Sequence, residues 1–150
     1  MSMLEEIAWL MNIRMSGQHE FDPLFNAQLM VTETEAFLFL EPEVAKALNP
    51  KLLRGLVQFA PIKYFDRVIK SKLQHGTKVG FDSGACSQFN FDRLSAVVGA
   101  ENMINFEGPK SLVSKHKIIK TSIELSGLRT SLTTESLALM STYAEIKKRI

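Results

Sequence analysis

The chain has 150 residues, 45% of them hydrophobic, enough for one domain that removes roughly 68–70% of its unfolded surface from water. Its 18 Lys and Arg against 16 Asp and Glu leave a formal charge of +2, which gives no electrostatic reason to expect nucleic acid or an anionic membrane as partner. One cysteine, Cys86, excludes an internal disulfide framework; with no signal-like start and no apolar run near the roughly 20 residues that span a bilayer, a cytoplasmic location is expected.

The run Leu4-Glu5-Glu6-Ile7-Ala8-Trp9-Leu10-Met11-Asn12-Ile13-Arg14 reads as a short helix at the start, where an α/β domain normally places a strand first. Met15 to Phe25, with Gly17, His19, Asp22 and Pro23, reads as a loop. Ala27–Val31 and Ala36–Leu40 are continuously apolar, which predicts a hairpin of central strands covered on both faces. From Pro42 to Leu56 the spacing is helical, but Pro50 splits it into two short pieces. Val57–Ile62 is a candidate strand. Tyr64–Leu73 puts Phe65, Val68, Ile69 and Leu73 on one helical face, with His75-Gly76 as a left-handed cap.

Thr77–Phe81 is the next short strand, and Ser83-Gly84-Ala85 turns into a helix over Ser87–Val98 that Gly99 ends. Its inward residues are expected to be Phe91, Leu94, Ala96, Val97 and Val98. Met103–Phe106 reads as an edge strand. The alternation predicts an α/β fold, a mixed β-sheet with helices on both faces. A long C-terminal amphipathic helix follows, its stripe carried by Leu125, Leu128, Leu132, Leu139, Tyr143, Ile146 and Ile150, with Glu135 in the one polar position. Thr121 and Glu124 have capping-box spacing, so this helix should start near Ser122.

Candidate chemistry is sparse. His19, His75 and His116 form no close pair with one another or with Cys86 at metal-ligand spacing. Asp82, Cys86 and a distant His could supply a nucleophile, an orienting group and a base, the pattern of a small hydrolase; a lone Cys at a turn is more often filler. Lys115, Lys117, Lys120 and Lys147-Lys148-Arg149 lack interleaved aromatics and read as solvated helix ends rather than a nucleic-acid surface. Trp9 reads as core.

The opening run resembles the Asp-Glu-Ile-Ala-Trp-Leu-Leu-Asn-Ile-Arg-Gly signature of the non-catalytic second domain of three-domain Xaa-Pro aminopeptidases (aminopeptidase P), a creatinase/prolidase N-terminal fold. Pro23-Leu24-Phe25-Asn26-Ala27-Gln28-Leu29-Met30-Val31 is similar to the family's Pro-Val-Phe-Phe-Ser-Tyr-x-x-Val. Lys120-Thr121-Ser122-Ile123-Glu124-Leu125-Ser126-Gly127-Leu128-Arg129 and Glu135-Ser136-Leu137-Ala138-Leu139 resemble its junction into the catalytic domain. The chain departs from the pattern at Met15-Ser16-Gly17, at Glu135-Ser136, and in a longer Pro109–Lys120 stretch.

The resemblance implies a ribonuclease H-like topology over 1–119, without its first strand, and a junction helix over 120–150 leading to an absent catalytic domain. That domain, in the family, cleaves before proline with two divalent metals, manganese by expectation, held by two Asp, one His and two Glu. None of those ligands carries over, so no catalytic, cofactor or metal residue is expected here. Asn12 and Arg14 are the candidate substrate-proximal residues of an intact enzyme, Arg14 as a fixed cation for a peptide carboxylate. The expected role is assembly, domain orientation or substrate gating. The alternatives are an interaction protein self-associating through its C-terminal helix and the Cys86 hydrolase. Expected partners are a second copy or the missing catalytic domain, with no nucleic acid and no membrane. A vacant first-strand position would leave unpaired backbone groups that invite strand exchange.

Overall fold

The computed structural model describes residues 1, 3–15, 24–48, 55, 57–106 and 111–149. The chain divides into two compact units, Met1–His116 and Lys117–Ile150. In the first unit the elements are α1 (Leu4–Met11), β1 (Ala27–Val31), β2 (Ala36–Leu40), α2 (Pro42–Ala47), β3 (Val57–Pro61), α3 (Phe65–Lys72), β4 (Val79–Phe81), α4 (Gln88–Val98) and β5 (Met103–Asn105). Two single 3₁₀ turns, Ile62–Tyr64 and Ala100–Asn102, lead into α3 and β5. α5 (Leu112–Ile118) spans the division, and α6 (Ser122–Arg149) forms most of the second unit.

The mixed sheet with helices on both faces is present. β2 is its centre, antiparallel to β1 and parallel to β3. Because successive side chains of a strand point to opposite faces, β2 feeds two cores. Leu38 and Leu40 join Ile7 and Ala8 of α1, Phe25, Leu29 and Val44 of α2 on one side. Phe37 and Phe39 join Phe65 and Ile69 of α3, Leu73 and Val98 of α4 on the other. Continuous apolarity in β2 is thus the consequence of burial on both faces. The hairpin is closed by Thr32, whose Oγ1 accepts from the Glu35 N–H (3.0 Å) and donates to the Glu35 carbonyl (3.1 Å).

Several boundaries differ from the sequence expectation. β1 lies at one side of a three-stranded sheet rather than in its middle, and β4 and β5 form a separate parallel pair. α3 ends at Lys72 with an extended Leu73, so Gly76 (φ 90) is not its cap. Gly76 instead sits in a turn closed by Thr77 N–H to the Gln74 carbonyl (3.0 Å), and its own N–H reaches Val98. On α4 Phe91, Leu94, Val97 and Val98 turn inward as expected, whereas Ala96 is exposed and Asn90 takes a buried place on the same face. Gly99 does end α4, at φ 92, where a Cβ would run into the Glu101 carboxylate. The segment after Pro50 lies outside the described residues apart from Gly55, as does most of the Met15–Phe25 loop with His19.

α3 and α4 are tied together by Arg93. Its guanidinium lies 4.8 Å from the ring centres of both Phe65 and Phe89 and donates from Nε to Asp66. The Arg93 partner holds the Asp66 carboxyl below the usual range. α6 begins at Ser122, as the capping box requires: Thr121 N–H donates to Glu124 Oε2 (2.8 Å) and Glu124 N–H donates to Thr121 Oγ1 (3.2 Å). Such a cap stabilises a helix by about 1 kcal/mol. Leu125, Leu128, Leu132, Leu139, Tyr143 and Ile146 of the α6 stripe are exposed, and Leu137 and Met140 add apolar surface beside them.

Candidate functional site: a cavity lined by two strands

The strand register shows which backbone groups of β1 point away from β2. Gln28 pairs with Phe39 and Met30 with Phe37, and the next pair in line, Thr32 with Glu35, is joined by a Thr32 N–H to Glu35 carbonyl bond (2.8 Å). Backbone direction alternates along a strand, so Gln28 and Met30 face β2 while Ala27, Leu29 and Val31 face outward. At Leu29 the outward groups are used: its N–H donates to the Met1 carbonyl (3.0 Å) and its carbonyl accepts from the Met1 α-amino group (2.7 Å). That reciprocal exchange is the hydrogen-bonded pair of an antiparallel ladder, made by a single residue. Val31, the next outward position, is 56% exposed.

Facing this edge is β4. Its Phe81 carbonyl accepts from the Phe106 N–H (2.7 Å), which turns Val79 and Phe81 toward β5 and Gly80 toward the opposite edge. Between the two edges is a cavity of about 810 Å³, within the roughly 300–1,000 Å³ of ordinary ligand sites. It is lined by residues from Gln28 to Glu35 and from Thr77 to Asp82, and by Glu6, Phe65, Asn90, Leu94, Phe106 and Ser111 among others.

Three polar features of this cavity escaped sequence reasoning. Glu6 is 6% exposed and its Oε1 accepts from the hydroxyls of Ser111 (2.8 Å) and Ser114 (3.1 Å), which fastens α5 to α1 across more than a hundred residues. Asn90 is 7% exposed, and among the described residues neither its Oδ1 nor the buried Gln28 Oε1 has a hydrogen-bond partner. The only available sequence signal was Glu6 and Asn90 each falling on the apolar side of a helix. The α-amino group of Met1 is pushed below the ordinary amino range by burial, against the opposing influence of Cys86 and Glu6.

Asn12 and Arg14 have a local role. Asn12 adopts the left-handed conformation (φ 51) at the end of α1, with its N–H on the Trp9 carbonyl (3.1 Å) and the following Ile13 N–H on the Ala8 carbonyl (3.0 Å). This is a Schellman ending, with buried Ile13 as its hydrophobic contact and Asn as one of the few non-glycine residues suited to the conformation. Arg14 adds Nη1 to the Ala8 (2.6 Å) and Ile13 (2.9 Å) carbonyls. The Asn-Ile-Arg motif therefore terminates the helix. Trp9 is half-buried, whereas Ile7 and Ala8 carry the core contact.

Cys86 faces the same cavity, with its thiol directed to the Ser87 carbonyl (3.6 Å). Burial pushes its pKa up, Asp82 adds to this, and the Met1 amino group opposes it, the reverse of the electropositive setting that activates a thiolate. Its alkylation by iodoacetamide is expected to rise with pH at a midpoint above that of a free cysteine peptide, with slower reaction at neutral pH. Enhanced reaction at neutral pH would restore the nucleophile reading.

Of the histidines, His75 is exposed with Nε2 3.8 Å from Glu101, and His116 is exposed on α5. Among the described residues no three His, Cys, Asp or Glu side chains group as metal ligands. Also among the described residues, no helix is long and apolar enough to cross a membrane. Lys147–Arg149 lie in the last turn of α6, where Lys148 and Arg149 pair with Glu145.

Comparison with known proteins places this geometry. A probable Xaa-Pro aminopeptidase P of Aspergillus clavatus is 29% identical over 155 residues, covering 99% of this chain and 23% of the relative. A peptidase of Schizosaccharomyces pombe is 30% identical over 146 residues, covering 95% of this chain and 22% of the relative. The crystal structure of X-prolyl aminopeptidase from Caenorhabditis elegans, described as a cytosolic enzyme with a di-nuclear active site, matches with a TM-score of 0.73 at 23% identity, covering 97% of this chain and 23% of that one. The chain thus spans less than a quarter of the length of these relatives. The family model described as Creatinase/Prolidase N-terminal domain matches residues 1–124, and the chain belongs to that family.

Proposed function

We propose that this chain acts as a non-catalytic module of the Xaa-Pro aminopeptidase type, orienting or assembling a catalytic partner rather than hydrolysing peptides itself. The observation that carries this reading is the extent of the match, an N-terminal-domain family over residues 1–124 within relatives more than four times longer. The cytosolic description of the Caenorhabditis elegans enzyme supports a cytoplasmic location. Asn12 and Arg14, at the exposed end of α1, are the residues that would border a substrate path in an assembled enzyme. The purified chain, assayed on Xaa-Pro peptides with added manganese, is expected to give no turnover above background. Metal-dependent hydrolysis that survives further purification would overturn the proposal.

A second reading, self-association through α6, has its own support. Leu125, Leu128, Leu132, Leu139, Tyr143 and Ile146 are 41–64% exposed along one helix, a larger apolar row than monomers ordinarily leave in water. Light scattering on the full chain and on Leu128→Glu/Leu139→Glu would separate the two: a dimer that dissociates in the variant supports self-association, and a monomer in both removes it.

A further inference from the structure

We propose that the outer face of α3 and α4 around Arg93 docks an acidic linear segment of a partner protein. One Asp or Glu carboxylate of that segment sits on the Arg93 guanidinium, and a neighbouring apolar side chain covers the Phe89 ring. Phe89 and Arg93 are four residues apart on α4 and so share a face. The guanidinium carbon lies 4.8 Å from the ring centres of both Phe65 and Phe89, which hold it between them. Its Nε donates to Asp66 Oδ1, and the four Nη protons have no acceptor among the described residues. They are left to water: the Arg93 side chain is 21% exposed, and neither Nη is a buried unpartnered atom. Both helices lie inside the first unit, away in sequence from either end of the chain.

A guanidinium already fixed by two rings and a carboxylate loses little freedom when a ligand arrives, and its open edge matches the two oxygens of a carboxylate. Charge sets the sign and size of the ligand. Arg67, Lys70 and Arg93 outnumber Asp66 and Asp92 by one, and Asp92 is engaged by Gln88 Nε2 (2.7 Å). The hydrogen bond from Arg93 holds the Asp66 carboxyl below its usual range, with the charge of Lys70 adding to this, so Asp66 stays ionised beside the guanidinium. A surplus of one positive charge suits a single carboxylate better than a phosphate dianion, which Asp66 and Asp92 would repel. Phe89 supplies the apolar half of the surface. It is 68% exposed, whereas the other phenylalanines described are buried or half-buried, so an apolar side chain laid on it removes a large ring from water.

The test titrates the full chain, ¹⁵N-labelled, with Ac-Ser-Glu-Phe-Glu-Leu-Ser-NH₂ and with the same peptide carrying Gln in place of Glu. The acidic peptide is expected to shift the Arg93 Nε–H and the backbone amides of Phe89 and Arg93, with an affinity that falls as salt is added. The Gln peptide is expected to bind at least tenfold more weakly. Arg93→Lys keeps the charge but loses the planar fork, and is expected to weaken binding of the acidic peptide at least tenfold. Since Arg93 also joins α3 to α4, Phe89→Ala is the second variant; its ring is mostly in water, so the fold is kept while binding drops several-fold. Equal affinity for the two peptides, shifts confined to other elements, or no shift with millimolar peptide would overturn the proposal. So would a self-associating chain that becomes monomeric in Phe89→Ala, which would make a second copy the occupant.

Discussion

Phe39→Ala is expected to destabilise the chain by about 3–5 kcal/mol, a large share of the roughly 5–15 kcal/mol typical of a folded domain. Phe39 is fully buried at the middle strand of the sheet, and its ring meets Phe65 edge-on with centroids 4.9 Å apart at 69°. The cavity left by the ring cannot be filled easily, since α3 is also held through Ile69 and through the Arg93 stack on Phe65. Part of the loss is the edge-to-face contact itself, about 0.5–1.5 kcal/mol. Urea unfolding followed by circular dichroism would measure it as a lower midpoint, with the exposed Val31→Ala as the comparison, expected within about 0.5 kcal/mol of the parent. A Phe39→Ala midpoint equal to that of Val31→Ala would show that the α3/α4 side is not a packed core.

The second large effect is at the Glu6 anchor. Ser111→Ala removes a 2.8 Å bond to a buried carboxylate and the hydroxyl that caps the Ser114 N–H (3.4 Å), and is expected to cost about 1.5–3 kcal/mol. Combining it with Glu6→Gln in a double-mutant cycle should give a coupling of about 0.5–3 kcal/mol, as for residues in one network. Hydrogen exchange adds a local readout. Amides of α5 should exchange faster in Ser111→Ala while those of β2 keep their protection, because the bond joins α5 to α1 and leaves the sheet intact. Additive single effects with unchanged α5 exchange would show that the anchor carries no stability.

Much of the fold was legible from local patterns. β2 was found because five successive apolar residues have a single good explanation, a strand covered on both sides. The start of α6 was found because Thr121 and Glu124 interact within one turn, independent of anything distant. Gly99 ended α4 as expected, since its φ of 92 is set by the local chain path. Ala96, expected inward, is exposed, and Asn90 is buried, because helical periodicity gives a stripe but not its exact limits against the sheet. α5 was passed over: Leu112–Ile118 is seven residues long, too short for a convincing period, and is held by a carboxylate far away in sequence.

The candidate site was less legible still. Asn12 and Arg14 stood out as a motif, and the motif's visible work is to finish α1 and cap the Ala8 carbonyl. The residues that line the cavity were not legible in the sequence. Gln28, Gly80 and Asn90 lie on separate elements, and no spacing within the sequence joins them.

Sequence alone therefore determined the family, the order of the five strands and the capped start of α6, because each rests on near neighbours or on residue type. Tertiary structure decided that β1 and Gly80 line one cavity, that Glu6 fastens α5, and that, among the described residues, two amide oxygens are buried without donors. These depend on which segments meet in space, and hydrogen-bond direction across a sheet is settled only when its register is.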